Sequence, residues 1–209
     1  MKFRKTILSR RQANVLRILS PIATPRGFYL AGGTALAILL GHRRSVDFDW
    51  FVRDALEDSA SFAQELRNEL PGVEVLRIAQ GTLEIKVSEV PVTLLRYAYP
   101  LLDDLIRWPE YDCCLASLKD LACMKLSALA QRGSKRDFVD VYALLRNTFS
   151  LAEIIEAYRT KYSIEDIGHL LASLAYFDDA DKEPTPEMCW KVRWAEIRSF
   201  IRSAVEDYS

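Results

Sequence analysis

Gly32-Gly33-Thr34-Ala35-Leu36, followed by Gly41-His42-Arg43-Arg44-Ser45-Val46-Asp47-Phe48-Asp49, is the stretch that decides the fold. Just before it, Phe28-Tyr29-Leu30 reads as a short buried strand, with Ala31-Gly32-Gly33-Thr34 as the turn that leaves it. Ala35 to Leu40 reads as a short apolar helix stopped by Gly41. From Val46 to Val52 the chain alternates. Val46, Phe48, Trp50 and Val52 point one way, and Asp47, Asp49 and Phe51 the other. Asp47 and Asp49 therefore leave one face of a strand, close behind a glycine turn at a helix start.

That juxtaposition suggests a chemistry. Two carboxylates so close repel unless a cation lies between them. Mg2+ suits such a pair, with phosphate oxygens completing its coordination, and in nucleotidyl transfer it would neutralise phosphate charge. Backbone N–H groups of a tight turn at a helix start can hold phosphates, and Thr34 adds a hydroxyl. Arg43 or Arg44 can balance a triphosphate or contact RNA, and Ser45 can orient an acid by hydrogen bonding. The plain alternative is a solvated strand face, with Thr34 as an ordinary N-cap. The spacing is neither that of a P-loop nor that of a dinucleotide fingerprint.

Working outward, the 209 residues are 50% hydrophobic and 27% charged, so a real core is expected and global disorder excluded. A net charge of -1 gives no overall basic field to recruit nucleic acid, a local basic cleft apart. No DNA-binding motif is present. Cys113, Cys114, Cys123 and Cys189 form no CxxC pair and read as reduced thiols of a cytoplasmic protein. Two histidines are too few for a histidine-rich metal site. Met1-Lys2-Phe3-Arg4-Lys5 is basic, but no apolar run of signal length follows it before Gln12, and no run elsewhere is long enough to span a membrane.

The pattern predicts a helix from Ser9 to Leu19, interrupted by Pro21 and Pro25, and another from Ser59 to Leu70. Strands follow at Val73 to Ile78, Thr82 to Val87 and Val90 to Tyr97. Helices then run at Ser117 to Gln131, Arg136 to Leu145, Leu151 to Thr160, Ile164 to Ala175 and Trp194 to Glu206. The acidic Phe177-Asp178-Asp179-Ala180-Asp181 reads as a solvated loop. The expectation is an α+β fold: a mixed sheet flanked by helices over residues 1–110, with a helical C-terminal region, 111–209, completing a cleft.

On the helix from Ser117, Leu118, Leu121, Ala122 and Leu129 mark an apolar stripe that also contains Lys125. An inward lysine is costly unless it meets a carboxylate or phosphate. Lys119 and Asp120 read as surface or support groups. Further on, Ser134 and Asp137 fit an N-cap box variant, and Asp137 and Asp140 share a flank. Either acid can pair with Lys125 or complete a site.

Together these residues resemble the AbiEii/AbiGii-type nucleotidyltransferase-like proteins, which include toxins of toxin–antitoxin systems. The match lies in Gly32 to Leu36, Gly41 to Asp49 with an extra arginine position at Arg44, Asp120 to Lys125, and Lys135 to Asp140. The resemblance implies a nucleotidyltransferase-like mixed sheet. It implies that Gly32, Gly33 and Thr34, with Arg43 and Ser45, hold nucleotide phosphates. Asp47 and Asp49 would bind Mg2+, Lys125 would contact the triphosphate of an NTP, and Asp137 would be a further catalytic acid. The acceptor would be an RNA, such as tRNA, or a protein, and a cognate antitoxin would be a partner. One departure stands out. Many such enzymes carry a third metal-binding acid on a later strand, where Thr93 stands here, with Asp137, Glu84 and Glu89 as substitutes in that order. That departure leaves open a non-catalytic nucleotide- or protein-binding module. Paired acids also suit a metal-dependent phosphohydrolase.

Overall fold

On β2 (Phe48–Val52), Phe48, Trp50 and Val52 are buried while Asp49 and Phe51 are half-buried, as the alternation requires. The computed structural model describes residues 3–54, 56 and 58–208; Met1 and Lys2 of the basic N-terminus lie outside them. Val46, expected on the inward side, precedes the strand and is 69% exposed.

Among the described residues β2 sits in the middle of a seven-stranded sheet ordered β3-β4-β5-β2-β1-β7-β6. The other strands are β1 (Tyr29–Ala31), β3 (Glu74–Ala79), β4 (Thr82–Val87), β5 (Val90–Arg96), β6 (Ile106–Trp108) and β7 (Cys113–Leu115). β2 runs parallel to β5 and antiparallel to β1, and β1 runs parallel to β7, so the sheet is mixed. β3 and β4 form an antiparallel pair and extend the sheet outward from β5. β6 and β7 escaped the sequence reading because three residues carry no readable period. β7 lies past residue 110 and docks beside β1, so the sheet continues into the C-terminal part of the chain.

Helices cover the sheet. α1 (Arg10–Ala23) opens on a capping box between Ser9 and Gln12 and continues through Pro21, which falls in its last turn rather than ending it. There the ring forfeits one backbone hydrogen bond. α2 (Gly32–Leu40) is almost wholly buried and ends at Gly41, which takes the left-handed conformation at φ 69°. α3 (Ser59–Glu69) is capped by Asp58, whose carboxylate accepts from the N–H groups of Ala60 and Ser61.

The C-terminal helices are α4 (Leu118–Arg132), α5 (Lys135–Asn147), α6 (Leu151–Tyr162), α7 (Gly168–Ala175), α8 (Asp178–Lys182) and α9 (Trp194–Tyr208). Ser117, Ser134 and Ser150 each cap the helix that follows, as a small hydroxyl before an apolar-periodic run predicts. α7 starts four residues later than Ile164 because Asp166 takes the Gly168 N–H at 2.8 Å. The acidic segment is a short helix rather than a loop: Asp181 accepts from the Trp194 indole and from Arg198. One continuous apolar core joins sheet to helices, with Leu30, Leu36, Trp50, Leu121, Leu126 and Phe138 fully buried. No described helix is long and apolar enough to cross a membrane.

Candidate active site

The start of α2 decides the local geometry. Ala31 precedes it without any side-chain cap, so the first N–H groups of α2 keep no side-chain partner at that position. Thr34, the expected cap or phosphate ligand, instead donates its hydroxyl to the Asp47 carbonyl and ties the turn to the approach of β2. Gly32 holds φ +66°, and a Cβ placed there would stand 2.2 Å from Asp49 Oδ2. Glycine is needed twice over at this position, for its backbone and for the carboxylate pressed against it.

Asp47, just before β2, lies close enough to Asp49 for the two charges to interact. Ser45 donates to Asp47 Oδ1 at 3.1 Å, the orienting role expected of it. Burial, then the charge of Asp47, pushes the Asp49 carboxyl up to about 6. Burial and the neighbouring Asp47 thus disfavour the ionised Asp49, a cost that a bound cation would relieve. The pair's hard oxygens, facing uncapped N–H groups, fit Mg2+ bound by two carboxylates and substrate phosphates. Among the described residues no group of three or more His, Cys, Asp or Glu side chains converges as a metal cage.

The sheet register explains why. Thr93 stands directly beside Asp49 on β5, and Glu84 directly beside Thr93 on β4. Thr93, where the resemblance leads one to look for a third acid, is thus the β5 neighbour of Asp49. Glu84 shares the row, but Arg77 donates to it at 3.1 Å. Glu89 lies in the turn after β4, 3.7 Å from Lys86 and away from the row.

Behind the pair lies a buried ionic network. Lys125, on the inward stripe of α4, reaches Asp137 at 3.2 Å and Asp140 at 2.7 Å. Both acids on α5 engage it, where the sequence left the choice open. Asp140 also accepts from Arg43 in bidentate fashion, at 2.7 and 2.8 Å, and from His42 Nε2 at 2.7 Å. Burial alone would raise the Asp140 carboxyl, but Lys125 and Arg43 hold it well below the ordinary range. Burial lowers the His42 pKa, so the ring is neutral and donates to Asp140. Asp137 accepts from Arg132 at 2.6 and 2.9 Å and from Ser134 at 2.7 Å. Burial opposes its ionisation, but Arg132 and Lys125 lower its pKa.

These contacts refine two expectations. Arg43 is buried and committed to Asp140 and the Arg44 carbonyl; a Cβ on Gly33 would stand 2.5 Å from its Nη2. It props the glycine turn from beneath. Asp137 has both oxygens engaged by cations and a hydroxyl, the bonding of a residue that positions Lys125 and Arg132. Two exposed cations near Asp49 are Arg132 and Arg136. The sequence reading gave neither a role, although both flank the singled-out Asp137.

A cleft of about 290 Å³ opens onto this arrangement, with Gly32, Asp49, Lys125 and Arg132 at one end. Lys125 has three donors, and its two carboxylate partners leave one for the cleft.

A second buried pair lies nearer the start of α4. Asp120, expected as a surface or support group, is fully buried and meets Lys161 at 2.6 Å. It also accepts from Ser117 and the Leu102 N–H. A separation of 41 residues leaves no local sequence signal for this pair.

Comparisons with known proteins bear on the family and the fold. Residues 69–209 match the family described as Nucleotidyl transferase AbiEii toxin, Type IV TA system. The matched span contains Lys125, Asp137 and Asp140, and begins after Asp49. Over 203 residues the chain is 34% identical to the uncharacterized protein aq_aa25 of Aquifex aeolicus, covering 96% of this chain and 97% of that protein. Its fold is similar to that of MenT4, the nucleotidyltransferase toxin Rv2826c from Mycobacterium tuberculosis (TM-score 0.62, 14% identity, 93% of this chain and 80% of that one). It is similar also to JHP933 from Helicobacter pylori (TM-score 0.55, 13% identity, 96% and 94% of the two chains).

Proposed function

The chain belongs to the AbiEii nucleotidyl transferase toxin family, and from that premise we propose that it moves a nucleotidyl group from an NTP to an acceptor hydroxyl. RNA is the first acceptor to test, because Arg132 and Arg136 are exposed beside Asp49. A protein hydroxyl is the other acceptor that the same chemistry allows. The family context adds a toxin role and a cognate antitoxin as partner.

The observation that carries the reading is the contact between Asp49 and the uncapped start of α2 at Gly32. A phosphate chain lying there meets helix N–H groups on one side and a carboxylate pair on the other. In the reaction the acceptor oxygen bonds to the α-phosphorus, the bridging α–β P–O bond breaks, and pyrophosphate leaves as the hydroxyl proton is released. Asp47 and Asp49 would hold Mg2+, which supplies charge neutralisation at the phosphates. Lys125 turns its remaining N–H toward the triphosphate, and Arg132 adds a second positive charge at the cleft. Arg43, Asp137 and Asp140 position these groups, and Ser45 and Thr34 fix the carboxylate-bearing strand against the turn.

The test is label transfer from the four α-labelled NTPs to total RNA and to total protein, with and without Mg2+. Mg2+-dependent labelling that disappears in Asp47→Asn and Lys125→Met is expected. NTP binding without labelling of either pool would reduce the site to a nucleotide-binding module. Release of inorganic phosphate without an acceptor would make it a phosphohydrolase.

A further inference from the structure

Past Asp49 and Lys125 the cleft changes character. Its other end is lined by Phe51, Leu95, Tyr97, Met124 and Tyr162, all half-buried. Phe51 lies two residues beyond Asp49 and Leu95 two beyond Thr93, so both continue the face that carries the acid. At the far wall the Tyr97 and Tyr162 hydroxyls meet at 2.6 Å. We infer that this end holds the base of the nucleotide, and that the Tyr97–Tyr162 hydroxyl pair sets which base is accepted by reading its polar edge. The inference rests on the nucleotide reading above and goes beyond it by locating the specificity of the site.

Three features support it. First, the cleft joins a cationic, helix-N-terminal end to an apolar, aromatic-lined end, which matches the two halves of a nucleotide. Its volume, about 290 Å³, lies at the small end of ligand pockets and suits one mononucleotide. Second, the pair has donor capacity to spare. When one phenol donates to the other, one O–H of the pair remains, even with Ser127 as a further partner of Tyr162, and all three residues line the cleft. Burial raises both phenol pKa values, so both stay protonated. Third, the rings are held before any ligand arrives. Phe51 meets Tyr97 edge-on at 5.4 Å between centroids, and Tyr99 meets Tyr162 likewise at 4.7 Å. The Lys161 ammonium sits 5.4 Å over the Tyr97 ring and is itself fixed by Asp120 and the Pro100 carbonyl. A fixed polar pair in an aromatic wall discriminates sharply, because a base with the wrong edge leaves a hydroxyl unpaired.

The test is equilibrium binding, by calorimetry on the full chain with Mg2+, of ATP, CTP, GTP, UTP and inorganic tripolyphosphate. One NTP is expected to bind on the order of 10-fold tighter than the others and than tripolyphosphate. Tyr162→Phe, which keeps the ring, should shrink that preference toward unity and leave tripolyphosphate affinity unchanged. Leu95→Trp, which fills the apolar end, should weaken all four NTPs but not tripolyphosphate. Equal binding of all four NTPs by the native chain, or an unchanged preference in Tyr162→Phe, overturns the inference while leaving the nucleotide reading intact. Failure to bind any NTP or tripolyphosphate overturns both. A fall in tripolyphosphate affinity in Tyr162→Phe marks the pair as structural and also overturns the inference.

Discussion

Replacing Asp49 by asparagine should stabilise the metal-free protein at neutral pH, although the residue is assigned to the heart of the site. Burial and Asp47 push the Asp49 carboxyl from 3.8 to about 6. Each pKa unit corresponds to about 1.36 kcal/mol between protonation states, so ionised Asp49 costs the fold up to about 3 kcal/mol. The sign follows from the raised value. Between about pH 4 and 6 the native state holds more protons than the unfolded chain, so this contribution falls as pH rises and levels off above 6. Asparagine keeps the shape and carries no charge. In EDTA, the gap between Asp49→Asn and the native chain should be near zero at about pH 4 and reach about 2–3 kcal/mol at pH 7.5, a Tm rise of roughly 4–12 °C for a chain of this size. Contributions from Asp137 and Asp140 are common to both proteins and cancel. Urea unfolding from pH 4 to 8 measures the gap, and Mg2+ should then stabilise the native chain and not the variant. A gap that does not grow with pH, or a variant less stable than the native chain at pH 7.5, refutes the account of Asp49 as a desolvated carboxylate awaiting a cation.

Gly32→Ala forces a side chain into a left-handed conformation and against Asp49 Oδ2. A loss of about 1–2 kcal/mol in urea unfolding is expected, with loss of NTP binding; a neutral effect on both would show that the turn and the carboxylate are not in contact. Asp140→Ala removes one carboxylate from Lys125, Arg43 and His42, which should cost about 3–5 kcal/mol. Because its pKa is held low, Asp140 contributes fully above about pH 4 and loses its effect as pH falls. The cost of Asp140→Ala should therefore shrink on acidification, which guanidinium unfolding at pH 3.5 and 7.5 checks.

Local pattern carried much of the fold. The alternation around Trp50, the apolar stripe of α4 and the serines before α4, α5 and α6 are signals written within a few residues, and those elements lie where the pattern puts them. β6 and β7 are three-residue strands stabilised by pairing with each other and with β1, which no local window contains. At the site, the glycine turn and the two acids were legible because they are close in sequence and chemically unusual. Lys125 was legible because a charge on an apolar stripe demands a partner. What that partner is depends on how α4 packs against α5. Asp140 became the hub because α2 and α5 bring His42 and Arg43 to it across nearly a hundred residues. Arg43 reads as a phosphate ligand in sequence for the same reason: its position beneath Gly33 is a tertiary fact.

The two buried ionic networks explain how a cleft this small keeps two kinds of wall. Lys125, with Asp137 and Asp140, backs the charged end from α4 and α5, while Lys161 with Asp120 backs the aromatic end from α6 and α4. Each leaves cationic surface or fixed rings facing the cleft, and α4 contributes to both. Thr93 completes the logic. An acid there would stand beside Asp49 in the sheet row and raise its carboxyl further. With a neutral hydroxyl instead, Asp49 keeps Asp47 as its acidic neighbour and Lys125, Arg132 and Arg136 as its cationic ones. On the nucleotidyl-transfer reading proposed above, the triphosphate would be held through these cations and the helix N–H groups, with Asp47 and Asp49 left to hold Mg2+.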